Sequence, residues 1–160
     1  EGVSYTYGQR FRSQFKVDQV ESMINDLKRN KDSRRAYATT WDPNIDATSS
    51  SPPCIDSIQA IVRNNKLYLT VYIRTNDMYK AWPLNAFGLR YLQKVISDEM
   101  KIELGTLTTI SSSAHIYGND WNSAKNKIEN YKPICKPDPR GNLVVSLENK
   151  KRLVVNDKPF

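Results

Sequence analysis

Cys54 directly follows two prolines, Pro52 and Pro53, and its thiol is a candidate nucleophile. Proline fixes the backbone φ angle, so this segment would present the sulfur from a stiff position. A cysteine attacks only as the thiolate, a form that a neighbouring guanidinium favours. Taken alone, the Pro-Pro-Cys sequence also describes a buried cysteine after a turn, and other residues must decide between the two interpretations.

Two polar segments further along the chain carry groups that recognise anions and hydroxyls. The segment Arg-Thr-Asn-Asp at 74–77 offers a guanidinium fork for a phosphate, with the hydroxyl of Thr75 as a second donor. His115 and Tyr117 alternate along an extended segment, which places both rings on one side, where they could bond a sugar hydroxyl. Taken singly, the first segment could also be a polar strand end and the second a surface pair.

A predicted β-hairpin positions the cysteine and the arginine. Apolar residues alternate over 55–63, and the run 66–73 (KLYLTVYI) is the strongest strand pattern in the chain. Asn64-Asn65 between them predicts a tight turn because asparagine tolerates positive φ. Cys54 therefore precedes the first strand and Arg74 follows the second.

Amphipathic patterns predict helices that back these strands. Apolar residues recur at helical spacing over 17–29, 85–100 and 120–131. The other predicted segments are a strand at 36–41, a loop at 43–53, a strand from Gly105 into the segment of His115 and Tyr117, and a terminal hairpin of 142–147 and 152–155. The whole predicts an α+β fold, a mixed or antiparallel sheet backed by helices, in a single domain over residues 1–160.

Composition limits the classes of function. Hydrophobic residues make up 39% and charged residues 26% of the chain, as in ordinary globular proteins, and no apolar run reaches the roughly 20 residues of a membrane span. The net charge of +7 comes from scattered Lys and Arg residues, which favours a small anionic ligand over nucleic acid, beside the alternative of a solvated basic surface. Cys54, Cys135 and the lone His115 complete no metal set, and no nucleophile elbow supports a serine hydrolase.

The number of cysteines is an indication of the cellular compartment. The chain has two cysteines, and no secretory signal is visible at its first residues. This favours a reducing, cytoplasmic location, although a disulfide stays open.

In this order the motifs resemble the thymidylate synthase family. Pro-Pro-Cys at 52–54 is followed by Arg-Thr-Asn-Asp at 74–77, Trp-Pro-Leu-Asn at 82–85 and His-Ile-Tyr at 115–117. The resemblance also includes Tyr7-Gly8 with Arg12, Asp32-Ser33-Arg34-Arg35 before a strand with Trp41, and Pro137-Asp138-Pro139-Arg140. It covers most of residues 1–130, and the order of several motifs is more specific than any one of them.

The resemblance implies the catalytic roles. Cys54 would add as the thiolate to C6 of a pyrimidine nucleotide, dUMP, and Asn85 would bond the uracil edge at O4 and N3. Tyr7 would take part in removal of the C5 proton, and Asp77 would bridge nucleotide and pterin. The product would be dTMP, with 5,10-methylenetetrahydrofolate or a related reduced pterin as the one-carbon donor.

The resemblance also implies the binding roles. Arg74 and Thr75 would hold the 5′-phosphate, and Arg34 and Arg35 would reach across a homodimer to the partner's phosphate site. The residues that would bond the ribose 3′-hydroxyl are His115 and Tyr117.

The sequence departs from the family mainly on the folate side. Ile55 stands where bacterial members have His, and Ile73 replaces a Gln. Lys80, Ala81 and Leu84 stand where the family lines the folate pocket. The chain begins where the family's second half begins, so the upstream phosphate-loop arginine, catalytic glutamate and pterin-stacking tryptophans are not assigned.

Three functions remain open at this point. A C5-methyltransferase, in the pattern of archaeal-type members with a modified pterin, is the leading hypothesis. A dCMP or dUMP hydroxymethylase of the same superfamily would share the cysteine and the phosphate arginine. A non-catalytic nucleotide-binding module would explain the altered folate residues.

Overall fold

The computed structural model describes residues 5–131, 143–148 and 151–156. The chain divides into two compact units, Glu1–Asn122 and Ser123–Phe160. A four-stranded sheet with the order β1-β2-β3-β5 forms the centre of the first unit. Its strands are β1 (Tyr37–Thr39), β2 (Ile55–Arg63), β3 (Lys66–Ile73) and β5 (Glu103–Ser111).

The sheet is mixed. β1, β2 and β3 pair antiparallel, whereas β5 joins β3 in parallel. Asn64 and Asn65 form the β2–β3 turn with φ of 49° and 56°, the positive values that such a hairpin requires. The predicted α+β class and the hairpin are therefore confirmed.

Four helices accompany this sheet in the first unit. They are α1 (Tyr7–Arg12), α2 (Gln19–Arg29), α3 (Pro43–Asp46) and α4 (Ala81–Met100). α2 begins after Asp18, whose carboxylate accepts a hydrogen bond from the N–H of Glu21 as an N-cap.

Two boundaries differ from the sequence prediction. α4 begins at Ala81 rather than at Asn85, because Pro83 lies in the first turn, where its missing N–H breaks no helical hydrogen bond. The predicted loop 43–53 contains the one-turn helix α3, whose N-cap Asp42 accepts from the N–H of Asn44. Short capped turns of this kind have too few residues to show a helical period.

The core of the first unit is apolar and continuous through the sheet, α1, α2 and α4. Its fully buried members include Val20, Met23, Leu27, Ile58, Leu67, Leu69, Val71, Ile73 and Ile96. Among the fully buried polar side chains is Gln93 of α4. Its amide donates to the carbonyl of Leu67 at 2.7 Å and so joins the helix to the start of β3.

The strand predicted from Gly105 into the His115 segment is two strands. β5 ends at Ser111, and β6 (Ala114–His115) pairs in parallel with β4 (Asn76–Asp77). Tyr117 follows as the residue before a short 3-10 helix, Gly118–Asp120. This separate two-stranded sheet pairs residues of two predicted motifs, Asn76-Asp77 and His115.

The second unit contains most of α5 (Trp121–Asn130) and an antiparallel hairpin of β7 (Leu143–Glu148) and β8 (Lys151–Asn156). Both elements agree with the predicted helix and terminal hairpin. The predicted motif at 137–140 and Cys135 lie outside the described residues. Across the described ranges, no helix has the length and apolar character needed to cross a membrane.

Candidate active site

The sheet brings the candidate residues to one edge. Because β2 and β3 are antiparallel, the start of β2 lies beside the end of β3, and the N–H of Arg74 donates to the carbonyl of Cys54 at 2.8 Å. Because β5 runs parallel to β3, it ends at the same edge, where the N–H of Ser112 donates to the carbonyl of Ile73 at 3.0 Å. Segments far apart in sequence therefore converge beyond these strand ends.

A cavity of about 200 Å³ lies at this edge. Its lining consists of Tyr7, Cys54, Thr75, Asn76, Asp77, Ala81, Asn85, His115 and Tyr117. Asn76 and Ala81 are the members to which the sequence assigned no catalytic or nucleotide-binding role. We call this space the Cys54 cavity.

Tyr7 is tied to the backbone of the cysteine. It is the first residue of α1, and its hydroxyl oxygen accepts hydrogen bonds from the N–H groups of Cys54 at 3.3 Å and Ile55 at 3.2 Å. The start of α1 and the start of β2 thus hold each other in place.

Asp77 and Lys80 fix the start of α4, which forms one wall of the Cys54 cavity. One carboxylate oxygen of Asp77 accepts the N–H groups of Tyr79 at 3.0 Å and Lys80 at 3.2 Å, which folds the turn into the helix. The ammonium of Lys80 lies 2.7 Å from the buried carboxylate of Asp120, and this hydrogen bond raises the pKa of Lys80. The start of α4 is thereby linked to the 3-10 helix after His115 and Tyr117.

His115 and Tyr117 form the opposite wall. Their rings meet edge to face with centroids 4.7 Å apart. Nδ1 of His115 lies 3.4 Å from the carbonyl of Ser113 and 3.5 Å from the hydroxyl of Thr75. Nε2 of His115 is buried and has no hydrogen-bond partner among the described residues, so it can meet a ligand hydroxyl.

Arg74 lies next to the Cys54 cavity without lining it. Its guanidinium carbon is 5.8 Å from the centre of the Trp41 ring, and its buried Nε has no partner within the described part of the chain. The contact with Trp41 joins residues that are distant in sequence, so no local pattern could have predicted it.

Arg34 and Arg35 are exposed and do not line the cavity of their own chain. Their backbone is held, since the carbonyl of Arg34 accepts from Gln59 at 2.9 Å and the N–H of Arg35 donates to Ser33 at 3.1 Å. The role of Arg34 and Arg35 in the partner's phosphate site stays a prediction.

A second cavity, of about 210 Å³, adjoins the first and shares Tyr7 and Asn85 with it. Most of its remaining lining is apolar and includes Phe11, Val20, Ile55, Leu84, Leu89 and Leu92. An apolar wall of this kind fits the face of a flat aromatic ring system. We call this space the apolar cavity.

One buried ion pair supports α1, which carries Tyr7. The guanidinium of Arg10 contacts both carboxylate oxygens of Asp46 in α3, at 2.7 and 2.9 Å, and also donates to the carbonyl of Thr40 at 3.2 Å. Both side chains are almost fully buried. The pair fixes α1 against the segment that leads to Cys54.

Tyr5 is a neighbour of this site that the sequence analysis missed. Its ring meets that of Tyr7 edge to face with centroids 5.8 Å apart, and the guanidinium of Arg10 lies 4.8 Å from the centre of the ring. Two tyrosines at alternate positions around the start of a helix were the available signal, but that pattern occurs widely without function.

The fold and the Cys54 cavity define a protein that presents a cysteine beside amide, carboxylate, imidazole and phenol side chains in one cleft. The family model for thymidylate synthase matches residues 2–156, and the chain belongs to the thymidylate synthase family.

Curated relatives agree with this assignment. Proteins from Methanothermobacter marburgensis, Methanosarcina barkeri and Methanococcoides burtonii, each named "Putative thymidylate synthase", are 45%, 41% and 41% identical over 130 residues. The matches cover 81% of this chain and 58%, 60% and 60% of those relatives. The chain therefore spans about three fifths of the length of the curated relatives it matches.

The buried ion pair generates a stability prediction. Asp46→Asn leaves the charge of Arg10 buried without its counter-charge, and we expect the free energy of unfolding to fall by about 3–5 kcal/mol. Asp98→Asn, which breaks the exposed Lys94–Asp98 pair, is the matched control and should cost less than about 1 kcal/mol. Urea denaturation of both variants measures the difference, and equal losses would show that the buried pair does not stabilise α1.

Proposed function

We propose that this protein catalyses C5-methylation of dUMP to dTMP with a reduced folate or related pterin as the one-carbon donor. The observation that carries the proposal is the Cys54 cavity, which collects a thiol, an amide, a histidine, a carboxylate and two tyrosines from five separate segments of the chain. No local sequence constraint requires these segments to meet, so their convergence supports a shared function.

The nucleotide would be held by groups at three points of the cleft. Thr75 and the adjoining Arg74 would bind the 5′-phosphate. The buried Nε of Arg74 has no partner among the described residues, which supports this role because a buried guanidinium donor favours an anion. His115 and Tyr117 would bond the ribose, for which Nε2 of His115, also without a partner in the described ranges, is available. Asn85 would bond the base from the α4 wall.

The reaction would begin at the sulfur of Cys54. Its thiolate adds to C6 of the pyrimidine, and the electron pair of the C5–C6 bond makes C5 nucleophilic. When bound, the reduced folate supplies the one-carbon unit and the hydride that complete the methyl group. Tyr7 would take part in removal of the C5 proton, and Asp77 would orient nucleotide and pterin together. The bond between the Cys54 sulfur and C6 would break as dTMP forms, which returns the thiolate.

The apolar cavity supports a pterin or its attached aromatic ring as the second substrate. It opens beside the Cys54 cavity and shares Tyr7 and Asn85, so a flat ring there would face the base. Leu84, which stands at a folate-lining position of the family, contributes to this cavity. 5,10-methylenetetrahydrofolate and a modified pterin share the flat ring that such a wall accepts. The cytoplasm, where both substrates would be found, stays the expected location.

The first test is the substitution Cys54→Ser in the full chain. With dUMP tritiated at C5 and methylenetetrahydrofolate, the wild type should release tritium and yield dTMP. Cys54→Ser should release no detectable tritium, yet bind dUMP within a few-fold of wild type, because phosphate and base contacts come from other residues. Tritium release, calorimetry and product mass are the measurements.

Cys135→Ser, which removes the other thiol of the chain, is the matched control and should retain activity. Near wild-type turnover in Cys54→Ser would remove Cys54 from the nucleophile role. A hydroxymethyl product would favour the hydroxymethylase, and dUMP binding without tritium release by the wild type would favour a binding module.

We also propose a homodimer in which Arg34 and Arg35 bind the phosphate in the partner's cleft. Their exposure and their position outside the cavity of their own chain are consistent with this role. Inactive Arg35→Ala and Cys54→Ser subunits, when mixed, should regain part of the wild-type activity, because a heterodimer contains one complete cleft. A mixture that stays inactive although subunit exchange is demonstrated would assign the arginines to their own chain.

Base choice provides a further prediction at Asn85. Its amide can donate to O4 and accept from N3–H of uracil, whereas cytosine presents the reverse pattern. A mismatched buried polar group costs about 1–3 kcal/mol, so wild type should prefer dUMP to dCMP by about tenfold or more. Asn85→Asp should weaken dUMP binding and shift the ratio of the two dissociation constants toward dCMP.

The control for Asn85→Asp is Asn25→Asp, which makes the same change of charge at an exposed position of α2. It should leave the dUMP to dCMP ratio unchanged. If the ratio is also unchanged in Asn85→Asp, this side chain does not select the base.

A further inference from the structure

Lys80 and Asp120 form an ion pair that no step of the proposed reaction uses. The ammonium of Lys80 lies 2.7 Å from a carboxylate oxygen of Asp120. Lys80 is exposed, whereas Asp120 is buried, with 7% of its surface accessible. A buried carboxylate is costly unless a counter-charge faces it, and Lys80 supplies one. The pair therefore matters more to the placement of Asp120 than to that of Lys80.

The pair completes a ring of contacts that joins two walls of the Cys54 cavity. The carboxylate of Asp77 accepts the N–H of Lys80 at 3.2 Å, which fixes Lys80 at the start of α4. On the other side, the N–H of Asp120 donates to the carbonyl of Tyr117 at 2.9 Å. The pairing of β4 with β6 places Asp77 opposite His115 and closes the ring.

We propose that Lys80 and Asp120 are positioning residues that set the separation between the α4 wall, which carries Asn85, and the wall of His115 and Tyr117. This inference rests on the proposed function, in which the first wall bonds the base and the second bonds the ribose. One nucleotide can bond both walls at once only when they are held at the right spacing. Neither Lys80 nor Asp120 lines the cavity, so both act through residues that do.

The exposure of Lys80 separates this role from support of the whole fold. Its side chain is 61% exposed, so solvent weakens the pair and its loss should lower the stability of the protein only slightly. The effect of losing Lys80 is local, because the carboxylate of Asp120 then turns toward water and displaces the 3-10 helix together with Tyr117. The spacing of the walls changes while the sheet and α4 stay folded.

The test is the dissociation constant of the full chain for dUMP, measured by calorimetry without a folate, so that it does not depend on turnover. Lys80→Met removes the charge and keeps a long side chain, and we expect dUMP binding to weaken by about tenfold to a hundredfold. Lys80→Arg keeps the ion pair and should bind within about threefold of wild type. Lys94→Met, which breaks the exposed Lys94–Asp98 pair of α4, is the matched control and should match wild type.

A double-mutant cycle tests whether the two residues act as one contact. Asp120→Asn keeps the shape of the buried side chain and removes the charge that Lys80 faces. Lys80→Met combined with Asp120→Asn should bind dUMP no more weakly than Lys80→Met alone, because no buried charge is then left without a partner. Additive losses in the cycle, binding by Lys80→Met within about twofold of wild type, or an equal loss in Lys94→Met would each overturn the inference.

The same measurements keep this inference distinct from the proposed reaction. If the wild type binds dUMP but forms no dTMP, the methyltransferase proposal fails, while the binding constants of the variants still decide whether the pair sets the spacing of the walls. If the wild type does not bind dUMP, the nucleotide site and this inference are overturned together.

Discussion

The pairing register of the β2–β3 hairpin is the constraint on which the site depends. Its turn, Asn64-Asn65, adopts the positive φ values that match the twist of the two strands, and this pairing aligns the strands up to the hydrogen bond between Arg74 and Cys54. A slip of one residue would turn the apolar face of the slipped strand to solvent. Because the core prevents that slip, Cys54 and Arg74 are fixed as neighbours.

The two ion pairs near the site differ in how deeply their side chains are buried. The Lys80–Asp120 pair links the start of α4 to the 3-10 helix, and because Lys80 is exposed, solvent weakens its contribution. The Arg10–Asp46 pair is almost fully buried and would be costly to leave half-formed. The Arg10–Asp46 pair therefore holds three parts of the structure in place. These are Tyr5, Tyr7 and the segment before Cys54.

Local patterns predicted most of the sheet and the long helices because alternation and helical periodicity are properties of short segments. The predicted strands 55–63 and 66–73 have the same bounds as β2 and β3 in the structure. Local patterns missed α1, which is too short to show a period, and the stacking of Arg74 on Trp41, which depends on chain segments that only folding brings together. Most residues that line the Cys54 cavity were marked beforehand by the resemblance rather than by periodicity, whereas Asn76 and Ala81 were assigned no catalytic or nucleotide-binding role. The functional roles of the marked residues stay predictions.

The two cavities share their boundary residues, and this sharing constrains how two substrates could meet. Tyr7 and Asn85 contribute to both spaces, and each lies at or near the start of a helix whose position is fixed by other contacts. α1 is held by Arg10, and α4 by Gln93 and by the turn at Asp77. The spacing of the Cys54 cavity and the apolar cavity is therefore set by helix placement rather than by flexible side chains. A substitution in the support of either helix would alter both cavities together, whereas a change in one cavity wall would alter only one.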